Sequence, residues 1–240
     1  MTDVNKAVVI LSGGLDSSTL LHCVVKSLKV PVVATLSFYY GQTHAKELAS
    51  AAKISADLGI ANFRIDLSPV MKDFKSALTG KEDIPEGHYA QENMKKTIVP
   101  NRNSIMLSIA VGYAISLEAG RVFYGAHAGD HAIYPDCRPE FFEAFKKAEE
   151  IGNAWTPVIL QAPFMNITKA DIVKIGLELG VPFQDTWSCY RGKDKACGTC
   201  GTCQERLASF RDADAEDPLE YVDRTSWIDT ERKWNETHVN

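Results

Sequence analysis

Nothing in the 240 residues reads as a membrane span. The longest mostly apolar stretch, Ile105 to Leu117, falls well short of the roughly 20 residues that a bilayer-crossing helix needs. The opening apolar run, Ala7 to Leu11, is too short for a secretory signal core and runs directly into Ser-Gly-Gly. Positive charge is not in excess either. With 26 Lys and Arg against 31 Asp and Glu, the formal net charge is -5. That balance offers no broad cationic field for duplex nucleic acid or an anionic membrane, so no stable nucleic-acid binding is expected. Internal repeats are missing, and so are the two usual nucleotide fingerprints, G-x-x-x-x-G-K-[ST] and G-x-G-x-x-G after a strand. These absences predict a cytoplasmic protein with one sizeable core.

Cysteine is sparse and unevenly placed. Of six cysteines, Cys23 and Cys137 stand alone, and four fall between Cys189 and Cys203. A disulfide framework is unusual in a cytosolic chain of this size, which leaves metal ligation as the default for the cluster. Cys189, Cys197, Cys200 and Cys203 follow the spacing C-x7-C-x2-C-x2-C. Two-residue gaps let successive thiolates converge, and four of them at about 2.3 Å make a closed tetrahedral zinc site, structural rather than catalytic. An iron–sulfur cluster is the rival reading. Ferredoxin runs of this kind carry a further cysteine three residues on, whereas position 207 is Leu. Cys23, in an apolar helical pattern, reads as core.

What is present in quantity is strand–helix alternation. Ala7 to Leu11 predicts a buried strand, and Leu20, Leu21, Val24, Val25 and Leu28 recur at helical spacing after it. Strands are predicted at 31–39, 62–67, 122–125 and 158–161, with helices at 43–58, 104–117, 139–151 and 168–179. Thr168 followed by Asp171 is a weak capping box. The pattern predicts an α/β fold, a doubly wound parallel sheet with helices on both faces. Residues 1–185 form that domain in this reading, 186–212 a zinc-binding appendage with a following helix, and 213–240 a surface-lying or frayed tail. Residues 75–99, polar and aperiodic with Gly80, Pro85 and Gly87, are expected to be a long mobile loop.

Ligands of open parallel sheets bind beyond the carboxyl ends of the strands. Ser12-Gly13-Gly14-Leu15-Asp16-Ser17-Ser18 stands there, between the first strand and the first helix. Its glycines permit close backbone approach, and successive N–H groups can point at phosphate oxygens at the helix N-terminus. The bland alternative is a Gly-rich turn with a Ser/Asp cap. The six residues from Ser12 to Ser17 resemble the PP-loop ATPase signature, Ser-Gly-Gly-x-Asp-Ser. That resemblance implies ATP cleavage between the α and β phosphates, with pyrophosphate held at the loop. It implies nucleotide contacts along Ile10, Leu11, Ser12, Gly13, Gly14, Leu15, Asp16, Ser17, Ser18, Thr19 and Leu20, with Asp16 holding Mg2+ or ordering the loop.

Three further clusters should gather at strand ends: Tyr39 to His44, Val99 to Asn103, and Gly125 to Arg138. Tyr40-Gly41-Gln42-Thr43-His44, Pro100-Asn101-Arg102-Asn103, Tyr134-Pro135-Asp136-Cys137-Arg138 and the four cysteines, in that order, resemble the 7-cyano-7-deazaguanine synthases of queuosine biosynthesis. The match runs over about residues 7 to 210. Asn101 departs from the pattern, because that family more often has glycine there. The resemblance implies adenylation of 7-carboxy-7-deazaguanine by ATP, attack by ammonia, and a second adenylation of the amide that leads to the nitrile. It also implies a homodimer. Arg102 and Lys169 would neutralise phosphate or carboxylate charge, though either reads equally as a solvated cation. Asp130 or Asp136 would accept from the N1–H and exocyclic amine of a guanine-like base, or else make a local Asx turn. His44 and His127 would bind phosphate or move protons, and Phe38 or Tyr39 would stack on a base. Rival readings are a tRNA-modifying PP-loop thiolase, a nitrile-synthase relative acting on a protein or nucleic acid, and a non-catalytic nucleotide-binding scaffold.

Overall fold

A computed structural model describes residues 2–42, 46–80, 83–191 and 194–238. His44 and the expected start of the second helix lie outside the described residues. Five strands, β1 (Asp3–Ile10), β2 (Val32–Tyr39), β3 (Asn62–Asp66), β4 (Ala119–Phe123) and β5 (Ile159–Gln161), form one sheet in the order β3-β2-β1-β4-β5. Every pairing is parallel. The helices are α1 (Leu15–His22), α2 (Lys46–Asp57), α3 (Ser68–Met71), α4 (Arg102–Ser116), α5 (Pro139–Gly152), α6 (Lys169–Glu178), α7 (Gly201–Asp212) and α8 (Ser226–His238). The first helical pattern divides, since a π-helical turn, Cys23–Ser27, continues α1.

The period of two along the strands decides which layer each side chain joins. Val8, Leu36 and Val122 pack with Leu107, Val111 and Phe142 of α4 and α5. Val9 and Phe123 pack on the other face with Leu20, Leu21, Ile54, Ile172 and Phe210, from α1, α2, α6 and α7. Cys23 is half-buried against this second layer. Both faces are covered, as an all-parallel sheet requires. The chain winds one way to β2 and β3 and the other way to β4 and β5, so the carboxyl ends of β1 and β4 flank the switch point where such folds bind ligands.

Two expectations need correction. The expected long loop at 75–99 is, in its described residues 75–80 and 83–99, packed and partly helical. Ala77, Leu78, Ile84, Met94 and Thr97 are buried, and Glu92–Thr97 is a 3-10 helix. Pattern analysis missed them because their apolar side chains pack on the rest of the protein without a period of their own. Nor is the segment after 213 frayed throughout. Asp217, Leu219 and Trp227 are buried, and α8 follows. Its acidic opening hides an interior ion pair. Arg206 Nε and Nη2 donate to the two Asp217 oxygens at 2.7 and 2.9 Å, with both side chains almost fully buried. Tyr221 Oη also donates to Asp217, at 2.6 Å.

Candidate active site

Beyond the carboxyl ends of β1, β2 and β4 lies a cavity of about 230 Å³. One wall is the loop after β1, where Ile10, Leu11, Ser12, Gly14, Asp16 and Ser17 line the space. Ser12 Oγ lies 2.9 Å from Ser17 Oγ and accepts the Gly14 N–H at 3.2 Å, so the loop is braced by its own hydroxyls. Gly13 turns behind it at φ +88°, and a Cβ there would sit 2.0 Å from the Glu47 carbonyl oxygen. Only glycine allows both that dihedral and that approach. Leu15 and Leu20 belong to the core, and Thr19 Oγ1 donates to the Leu15 carbonyl at 2.9 Å. Gly13, Leu15, Ser18, Thr19 and Leu20 therefore stand behind the wall, outside the lining set. The loop suits an anionic group with many acceptor oxygens. The α1 N-terminus faces the space, and Asp16 Oδ1, buried with no hydrogen-bond partner, suits a cation beside that anion.

Charged groups gather beside Asp16. Lys169 Nζ stands 3.5 Å from Asp16 Oδ2 and donates to Glu205. Burial opposes the Lys169 charge, but Asp16, Glu205 and Asp130 outweigh it and push its pKa up, so the amine stays protonated. Burial likewise pushes the Glu205 carboxyl up against the opposing pull of Lys169. The His127 ring is buried. Its Nδ1 accepts from the Gly129 N–H at 3.1 Å, which puts the ring proton on Nε2, 3.8 Å from Asp16 and 3.6 Å from Asp130.

The far wall is aromatic. Phe38, Tyr40, Tyr89, Tyr124, Tyr134 and Tyr190 line it around Arg102. Arg102 Nη1 donates to Tyr40 Oη at 3.3 Å, and its guanidinium stands 5.6 and 6.0 Å from the Tyr40 and Tyr134 ring centres. Tyr89 Oη donates to Asp130 Oδ1 at 3.1 Å, and Tyr134 shares a 2.8 Å hydrogen bond with Thr97. Burial pushes Tyr40 up to about 12 and the phenols of Tyr89, Tyr124 and Tyr190 well above their usual range, so all stay neutral. α4 brings Arg102 in at its first residue, after Asn101 turns left-handed at φ +54°. Asparagine tolerates that conformation better than any other residue except glycine, which accounts for the replacement at this position.

Asp16, Arg102, Asp130 and Lys169 thus meet in one space. Asp136 stands behind it, accepting the Asn103 N–H at 3.3 Å over the first turn of α4. Tyr39 lies under the Arg64 guanidinium, away from the cavity, whereas Phe38 lines it. Sequence reasoning passed over Glu47, Tyr89, Trp187, Ser188, Tyr190 and Thr202, all of which line the cavity. Glu47 falls within the predicted helix 43–58, Tyr89 in the polar stretch 75–99, and the rest around the cysteines. The position of Trp187, Ser188, Tyr190 and Thr202 around the clustered cysteines was the one available signal.

The four cysteine sulfurs lie within 4.8 Å of one another, with Cys197 and Cys203 3.9 Å apart. Backbone N–H groups of Arg191 and Cys197 point at Cys189 Sγ, and that of Cys200 at Cys197 Sγ, at 3.2–3.3 Å. Hydrogen bonds from Cys189, Cys200 and Cys203 hold the Cys197 thiol below its ordinary range. This spacing suits one tetrahedral ion on thiolates. The centre is built into the active-site wall: Glu86 bridges to Cys200, three residues before Tyr89, and Thr202 Oγ1 donates to the Ser188 carbonyl.

A parallel sheet of this order, with Ser-Gly-Gly-Leu-Asp-Ser closing its first strand over a cavity at the switch point, defines an enzyme of the PP-loop class. Within that class the chain belongs to the family described as queuosine biosynthesis protein QueC, whose model matches residues 6–214. A 7-cyano-7-deazaguanine synthase of Pseudoalteromonas atlantica is 52% identical over 219 residues, covering 91% of this chain and 99% of its own. One from Hahella chejuensis is 51% identical over 218 residues, covering 90% and 93%. A solved NMN synthetase from Francisella tularensis shares the fold at 16% identity and a TM-score of 0.51, covering 98% of this chain and 86% of that one. No described helix is long and apolar enough to cross a membrane.

Proposed function

We propose that this chain uses ATP to convert 7-carboxy-7-deazaguanine and ammonia into 7-cyano-7-deazaguanine. The carboxylate is adenylated first and the resulting amide second, each round releasing pyrophosphate and AMP. The observation that carries the reading is the cavity itself. A phosphate-type loop and a tyrosine-lined, Arg102-bearing wall face each other across a space suited to a nucleotide beside a flat heterocycle.

The roles follow from position. Loop N–H groups and the Ser12 and Ser17 hydroxyls hold the departing pyrophosphate, and Lys169, kept charged by its carboxylates, offsets the negative charge that builds up as it leaves. Arg102 orients the substrate carboxylate between the tyrosines. Asp130, fixed by Tyr89, accepts from the N1–H and exocyclic amine of the base. Asp136 caps α4 and so sets the Arg102 turn. Asp16 is the residue that would hold Mg2+, which supplies charge neutralisation on the phosphates when bound. Zinc suits the four thiolates and would act structurally. No protein nucleophile is required, so catalysis rests on positioning and charge. Burial pushes Cys137 to about 12 and raises Cys23, and the two lie in the separate core layers on opposite faces of the sheet. Both facts speak against a thiolase with a reactive cysteine pair. We take the working form to be a cytoplasmic homodimer, which sedimentation of the purified protein tests.

Mass spectrometry of protein incubated with ATP, Mg2+, ammonium and 7-carboxy-7-deazaguanine tests the reading. Conversion to the nitrile with release of AMP and pyrophosphate is expected. No conversion by protein that still binds ATP would move the acceptor to an RNA or a protein.

A further inference from the structure

Three carboxylates line the cavity among the described residues: Asp16, Asp130 and Glu47. Asp16 and Asp130 each face a cationic partner or a histidine, Asp16 with Lys169 at 3.5 Å and Asp130 with His127 at 3.6 Å. Glu47 differs in its hydrogen bond. A side-chain amide, Gln42 Nε2, donates to Glu47 Oε1 at 2.9 Å, and its charged neighbour is Arg102. Gln42 is buried and held in one orientation, because its Oε1 accepts the Tyr40 N–H at 2.7 Å and its Nε2 also reaches the Phe38 carbonyl. The amide can therefore only donate towards Glu47, and it binds one oxygen of the carboxyl. The main chain of Glu47 is equally fixed, since its carbonyl packs against Gly13 behind the phosphate loop. The carboxyl thus stands at the junction between the loop and the Tyr40–Arg102 wall.

We infer that Glu47 is the general base that turns ammonium into ammonia for attack on the adenylated carboxylate, an assignment that rests on the reading of the site above. Near neutral pH the nitrogen source is present mostly as ammonium, which has no lone pair. Glu47 takes one proton from it. The freed lone pair forms the C–N bond at the activated carbonyl carbon, and the C–O bond to AMP breaks with its electron pair leaving on the phosphate oxygen. The surplus proton on the new amide nitrogen passes to that phosphate, and Glu47 releases its own proton to solvent before the next turn. The charged and titratable neighbours agree with the role. Arg102 from α4 and the Tyr40 phenol from the end of β2 face Glu47. Lys46 is turned away, over the Trp187 ring at 4.0 Å and donating to the Asp194 carbonyl. Burial pushes the Glu47 carboxyl up to about 7 against the opposing pull of Gln42 and Arg102. A base near the working pH combines a large ionised fraction with useful basicity.

The test separates the two half-reactions. Carboxylate-dependent exchange of labelled pyrophosphate into ATP needs no ammonia and reports adenylation alone. Glu47→Gln keeps the acceptor for Gln42 and should leave this exchange unchanged. Its kcat/KM for ammonium near neutral pH should fall about 10²-fold or more. The parent's rise in rate through pH about 7 should vanish, and activity should return in alkaline solution, where free ammonia is plentiful. Glu47→Asp should give an intermediate loss and keep a pH limb. Equal loss of exchange and of ammonium use in both variants, or an ammonium dependence unchanged by Glu47→Gln, would overturn the assignment. Absence of exchange in the parent protein would instead remove the reading of the site, and this inference with it.

Discussion

The sheet and the cysteine-bearing region after residue 186 meet at one cavity but are held together by different physics. Around β1, β2 and β4, two apolar layers do the work, with Leu36, Leu107, Leu20 and Phe123 removed from water on either face. Hydrophobic burial there is spread over many side chains, each contributing a few kcal/mol. Around Cys189 to Cys203 the apolar cluster is small, comprising Ile84, Trp187, Ala196, Leu219 and the cysteines themselves. Order there comes from converging sulfurs, the Arg206–Asp217 pair, and the Arg191 guanidinium donating to Glu86 and to the Ile84 carbonyl. A large core tolerates the loss of one contact, whereas a region held by a few polar interactions fails when one of them goes. Both supply the same site, since Ser12 and Asp16 come from the first region and Trp187, Ser188, Tyr190 and Thr202 from the second.

The sharpest way to break this contrast is to remove the metal proposed for the four thiolates. Chelation, or Cys200→Ser, should cost the cysteine region about 10–16 kcal/mol of apparent binding energy. Hydrogen exchange should then show residues 84–91 and 187–221 opening together while β1, β2 and β4 stay protected. Uniform exchange across the sheet as well would mean that the two regions are one cooperative unit. Next in size is Asp217→Ala, which strands a buried Arg206 and should destabilise by about 3–5 kcal/mol in urea unfolding, with metal affinity weakened as well. Leu36→Ala should cost about 2–5 kcal/mol in the same assay yet leave metal content unchanged, as a core defect confined to the sheet would.

The smallest effect sits at the seam. Glu47 has a folded-state pKa of about 7, raised by burial above its ordinary value, so the native state binds its proton more tightly than the unfolded chain does. Its favourable contribution is present when it is protonated in acid and is lost as pH rises towards about 7. The melting temperature of Glu47→Gln should therefore match the parent near pH 5 and exceed it by a few degrees at most near pH 8. Parallel curves would show that Glu47 is solvated in the folded protein.

Legibility in the sequence followed contiguity. The loop from Ser12 to Ser17 and the four cysteines are local patterns, in which the chemistry and the spacing lie within a few residues. Arg102, Asp130 and Lys169 were legible as candidates because each sits at the end of a predicted strand or the start of a helix. Glu47 and Tyr89 were not, because Glu47 sits inside a predicted helix just past the Tyr40–His44 motif and Tyr89 in an aperiodic stretch, where no pattern tells a cavity wall from a wet surface. Asp130 and Asp136 lie six residues apart in one loop segment, and only the hydrogen bond from the Asn103 N–H to Asp136 separates a cavity acid from a helix cap. Asp217 falls in the segment expected to lie on the surface, and its burial depends on the ion pair with Arg206.

Strand and helix periodicity, the glycine-bearing turn after the first strand and the cysteine spacing determined the class of fold, the position of the phosphate loop and the presence of a metal-type cluster. Each is set by interactions between residues near one another in the chain, where backbone geometry restricts the possibilities. The tertiary structure decided which face each acid sees. It set the half-buried Glu47 beside Arg102, surrounded Lys169 with carboxylates, lined the cavity with Tyr89 and Tyr190, and hid Asp217 in the interior. Desolvation and long-range charge set those properties, and both depend on neighbours that the linear order of residues does not specify.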